Sequence, residues 1–170
     1  VCPLAFAARP PRAIHEAREA AAAVLAIDSN DALAYRGRGW LMFISGKLPE
    51  ATADLRRSLE LNPNDAFALA SFGMCAALSG DPAGGLRQCL QALRLSPRDP
   101  ARFHLLANLI WAQFAAKAYD DGIDTERQSL RTADFAGTPP AQALVHIRAG
   151  GLGPATTESR AGKGEQPALG

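Results

Sequence analysis

Apolar residues recur three and four positions apart in four segments of this chain: Asp31–Ile44, Leu48–Leu61, Asp65–Leu78 and Pro82–Leu95. That spacing predicts amphipathic helices. Short polar breaks separate each pair, "SGKLP" at 45–49 and "SGDP" at 79–82. Glycine after a helix and proline near the next start are the expected punctuation, because glycine tolerates a left-handed cap and proline's missing amide costs nothing in a first turn.

The pattern itself repeats. "VLAIDSND" (24–31), "SLELNPND" (58–65) and "ALRLSPRD" (92–99) stand 34 residues apart. Leu25, Leu59 and Leu93 share one phase; so do Asp31, Asp65 and Asp99, Gly39 and Gly73, Gly46 and Gly80, and Pro63 and Pro97. A fixed period of this length marks stacked units. Pro63 and Pro97 stop helices, and Asp65 and Asp99 then sit where a carboxylate can cap the next one. Gly39, Gly73 and Gly85, with Ala51, are small residues at points where paired helices must come close. The period therefore encodes a helical hairpin.

The units read as about 31–64, 65–98 and 99–135, with a degenerate one over 136–155, so the array covers 31–155. In the third of these, Phe103, Leu106, Ala107 and Ile110 keep phase, but Tyr119 and Gly122 arrive three residues late. Its first helix is expected to run about one turn longer, through "WAQFAAKA". Residues 11–30 match the second helix of a truncated repeat, with Ala17, Ala21, Val24 and Leu25 on one face. Prolines 3, 10 and 11 keep 1–10 irregular, so the first helix is expected to expose a stripe and the chain to be part of a longer array. The tail 156–170 has no apolar period and reads as disordered.

These residues resemble the tetratricopeptide repeat (TPR) family. One unit supplies Tyr35, Gly39, Met42, Ala51, Leu55, Ser58 and Pro63 at the family's signature positions; the next supplies Leu69, Phe72, Gly73, Gly85, Cys89, Ala92 and Pro97. Arg38 stands where a leucine is usual, and Ser58 and Gly85 replace alanines. The resemblance implies an all-α fold, a right-handed solenoid of stacked hairpins. A narrower likeness, over residues 95–131, is to the TPR regions of bacterial class III adenylate and guanylate cyclases and of winged-helix regulators. It implies a bacterial chain with a lost or separate N-terminal effector domain, whose regulation is the alternative function; the sparse, odd set of cysteines points to a reducing, cytoplasmic compartment.

Composition narrows the chemistry. Net charge is +1 and no apolar run approaches a membrane span, so neither nucleic acid nor membrane is an expected partner. Cys2, Cys75 and Cys89 lack metal or disulfide spacing. The three histidines, His15, His104 and His146, lie in different units. "RGRGW" and "RAGKG" each lack a glycine that a nucleotide loop needs. "YDDGIDTE" (119–126) clusters acids but puts Lys117 and Tyr119 where a calcium loop needs oxygens. It reads as carboxylates at a helix start, and Asp54 and Glu60 read as a solvated face among Arg56 and Arg57. No enzyme, metal or cofactor is expected.

What remains is a binding surface. The resemblance implies that each unit's first helix lines a concave groove. Its inward positions carry over as Arg36, Trp40 and Phe43, then Ala70, Met74 and Ala77, then His104, Asn108 and Trp111. Helical spacing groups 36, 40 and 43 on one face, and 104, 108 and 111 on another. Trp40 and Trp111 could instead pack the core. The carboxylate-clamp pattern known in the family is matched only in fragments. The expected function is a non-catalytic scaffold that binds a peptide or helix of another protein, with self-association through the first helix as a further possibility.

Overall fold

The structure, a computed structural model, describes residues 11–98 and 102–132. It holds seven helices and no strand among them: α1 (Pro11–Ile27), α2 (Ala32–Ile44), α3 (Leu48–Leu61), α4 (Ala66–Leu78), α5 (Pro82–Leu95), α6 (Arg102–Ala115) and α7 (Tyr119–Thr132). The irregular segment 1–10, the Asp99 cap, the degenerate unit 136–155 and the tail 156–170 lie outside the described residues.

Three hairpins, α2–α3, α4–α5 and α6–α7, stack in chain order, each second helix packing on the first helix of the next. This is the α-solenoid that the TPR resemblance implies. Asp31 and Asp65 cap α2 and α4 by accepting from the amides of Ala34 and Ala68, at 2.8 and 2.9 Å. Asp81 does the same for α5 through Gly84. Gly46 and Gly80 close α2 and α4 with φ of 75° and 107°, conformations that a side chain makes costly. Pro49 and Pro82 occupy the first turns of α3 and α5.

The first helix of the last hairpin ends at Ala115, not at Ala118. Tyr119 opens α7 37 residues after Pro82 opens α5, yet the turn before it has three residues, as in the other two hairpins, so the extra three precede that turn. Lys117 takes the place of Gly80 there, with φ of 60°.

Hairpin pairing is tightest where glycines meet. A Cβ on Gly73 would lie 2.7 Å from the Gly85 carbonyl oxygen, and one on Gly85 would press on the Gly73 carbonyl oxygen. A Cβ on Gly39 would meet Leu55 at 2.9 Å. Each departure from the family signature has a local role. Ser58 is buried and donates to the Ala32 carbonyl, tying the end of α3 to the start of α2. Arg38 clasps Asp54 with two bonds of 2.7 and 2.6 Å. Asp54 is 8% exposed, so it is an internal clasp of the first hairpin and not part of a solvated face; Arg57 and Glu60 do pair in solvent.

The face of α1 also differs from expectation. Ile14, Arg18, Ala21 and Leu25 turn toward α2, while Ala17 and Val24 are exposed and Ile27 stands almost wholly in solvent. The spacing Ile14, Arg18, Ala21, Leu25 includes an arginine, whose aliphatic stem can cover apolar surface; counting apolar residues alone placed the stripe one position off.

Candidate functional site

The first helices of the units, α2, α4 and α6, lie side by side, but unevenly. α4 packs broadly on α6, whereas α2 and α4 approach at few points. The reason is side-chain size. α4 carries Ala70 and Ala77 where α2 carries Arg36 and Phe43, so α6 can close on α4 while large side chains bridge α2 to α4.

This closure buries six of the nine expected groove positions, Ala70 and Ala77 among them. Phe43, Met74 and Trp111 join one core cluster with Ala51, Leu55 and Cys75; Met74 has no exposure and Trp111 has 8%. Asn108 is buried too, donating from Nδ2 to the Ser71 hydroxyl at 3.2 Å. These four hold adjacent units together and offer no free surface. Of the two tryptophans, Trp111 is a core residue and Trp40 is half-buried.

Arg36, Trp40 and His104 do converge, around a residue that the family's inward positions pass over. Phe67 of α4 meets Trp40 of α2 edge-on at 5.7 Å between ring centres, and His104 of α6 edge-on at 5.8 Å. His104 in turn lies 4.0 Å from Phe103, and Trp40 5.5 Å from Phe43. The Arg36 guanidinium sits 5.3 Å over Phe67 and donates to Asp65 at 2.9 Å. Asp65 thus caps α4 with one oxygen and holds Arg36 with the other. Phe67 precedes Ala70 and Met74 by three and seven positions, so it shares their face; that was the signal available.

The result is a strip of three half-buried rings, one from each unit, flanked by a guanidinium already partnered by a carboxylate. Such a strip can hold apolar and aromatic side chains by contact area, edge-to-face geometry and cation–π attraction. It presents no nucleophile paired with a base. Burial pushes the Cys75 and Cys89 thiols up to about 12, so both stay protonated and inert at neutral pH. Asp120 and Asp121 lie in the first turn of α7, where the helix dipole favours carboxylates. No group of three or more possible metal ligands occurs among the described residues, and no helix among them is long and apolar enough to cross a membrane.

No family model matches the chain, and no curated protein does. Among solved structures it is similar to one described as "Crystal structure of YrrB: a TPR protein with an unusual peptide-binding site". The two are 19% identical over 81% of this chain and 84% of that one, with a TM-score of 0.41. So distant a likeness assigns this chain no ligand.

Proposed function

We propose that the chain is a non-catalytic interaction module that binds a peptide or helix of another protein on the face formed by α2, α4 and α6. One observation carries the reading: Trp40, Phe67 and His104 form a strip across three successive units, and all three keep part of their surface exposed. Rings held in place by neighbouring units lose little freedom on binding, and tryptophan and arginine are the residues on which binding energy concentrates. Arg36, Trp40 and His104 are the binding residues retained, with Phe67 added at their centre.

The test is a selection of random displayed peptides on the immobilised chain, followed by affinity measurements on the selected sequences. Peptides that lose tenfold or more in affinity to Phe67→Ala and to Trp40→Ala, with the unfolding midpoint of each variant reported beside it, support the reading. A selection whose members all bind both folded variants as tightly as the wild type overturns it. Trp111 is unsuitable for such a test, because truncating a buried ring perturbs the core itself.

A further inference from the structure

A second groove, of about 520 Å³, opens between α5 and α7 with α6 as its floor. From α5, Leu86, Leu90 and Leu93 form one wall at helical spacing. Leu90 is 43% exposed. The floor is Leu109 and Gln113 of α6. Across from the leucines, α7 presents Asp121 and Asp124, the acids of the "YDDGIDTE" run that the ring strip leaves unused.

Among the described residues no cationic side chain lines this groove, and both of its charged groups are acids. Asp124 pairs with Arg127, but both partners are about three-quarters exposed, and such surface pairs exchange readily with solvent or a competing cation. Gln113 of the floor is 8% exposed, and its Oε1, although without a hydrogen-bond partner, is closed to solvent, so it adds no contact for a ligand.

We infer that the groove between α5 and α7 docks a basic amphipathic helix of a partner protein, with an apolar ridge on Leu86, Leu90 and Leu93 and lysine or arginine against Asp121 and Asp124. Helix-in-groove docking needs anchors at i, i+4 and i+7, the spacing that the α5 wall itself has. This site is separate from the ring strip, so the chain can hold two partners at once.

The probe is a synthetic amidated helix of fourteen residues with leucine at i, i+4 and i+7 and lysine flanking that ridge; a second probe replaces each lysine by glutamate. Titration calorimetry with the full chain should show the lysine helix binding and the glutamate helix not. Leu90→Lys should weaken binding at least tenfold, and Asp121→Lys/Asp124→Lys should reverse the preference between the two helices. Trp40→Ala should leave this binding unchanged, which separates it from the ring strip. The inference is overturned by an absence of saturable binding up to millimolar peptide, by equal affinity in Leu90→Lys, or by an unreversed preference. Concentration-dependent sedimentation of the free chain that Leu90→Lys abolishes would assign the groove to a second copy and overturn it equally.

Discussion

Gly85→Ala tests the account of hairpin pairing most directly. The added methyl would press on the Gly73 carbonyl oxygen and stand 2.7 Å from the Ala77 Cβ and 2.8 Å from its amide nitrogen. All three are backbone atoms or a first side-chain carbon, so no rotamer change relieves the contact. Only separation of α4 from α5 can, and these two share the broadest helix–helix contact in the chain. Separation would loosen Cys89 and Ala92, both fully buried. Overpacking costs about 1–3 kcal/mol, and contact with unyielding backbone at several points places this case at the upper end. Alanine's better helix propensity returns about 1 kcal/mol. The net expectation is a loss of about 2 kcal/mol, or about 4–8 °C in Tm for a chain of this size. Gly37→Ala makes the same chemical change in α2, with nothing within 4 Å of the new methyl, and should stabilise by about 0.5–1 kcal/mol. Urea unfolding followed at 222 nm, with both variants beside the wild type, reads the two signs. A Gly85→Ala midpoint at or above that of the wild type refutes the argument.

Four further outcomes are expected. Lys117→Gly relieves a side chain held at φ 60° and should raise stability by about 1 kcal/mol; a neutral result in the same urea assay would mean that the turn imposes no strain. Arg38→Leu restores the residue usual at that position but strands the largely buried Asp54 carboxylate, and should cost about 1–3 kcal/mol, with Arg38→Leu/Asp54→Ala recovering part of it; additive losses in the double-mutant cycle would deny the coupling. Peptide-resolved thiol labelling at about pH 8 should modify Cys75 and Cys89 only as fast as the surrounding helices open; labelling at the rate of a free thiol contradicts their burial. Burial raises the Glu126 carboxyl above its ordinary 4.5, so its ionised form opposes folding at neutral pH and the opposition fades as pH falls through the raised value. Glu126→Gln should therefore raise the unfolding midpoint at about pH 7 and change little at about pH 3; a gain of equal size at both would rule out the ionisation.

The helices of the first two hairpins were legible almost to the residue, because proline, glycine and aspartate set their ends by local chemistry that needs no tertiary context. Which face of α2 or α6 looks toward its neighbours was legible too. Depth was not. Whether Phe43, Met74, Asn108 and Trp111 meet solvent depends on how closely the next unit packs, and that depends on Ala70 and Ala77, small residues of α4 that say nothing of depth by themselves. Asp54 was misplaced for a related reason: an acid beside arginines in sequence looks solvated, and only the hairpin brings Arg38, sixteen positions earlier, over it. Phe67 was passed over because signature positions direct attention to fixed places in the unit, and it lies one helical turn before the first of them.

The uneven spacing of α2, α4 and α6 has a mechanical consequence. The first helices meet differently at the two joints, by side chains that span a gap between α2 and α4 and by close approach between α4 and α6. Trp40 and Phe67 stand on opposite sides of the gapped joint, with His104 beyond on the close one. Anything laid along those three rings acts as a splint across the gap, in front of the joint that Phe43, Leu55 and Met74 close from within.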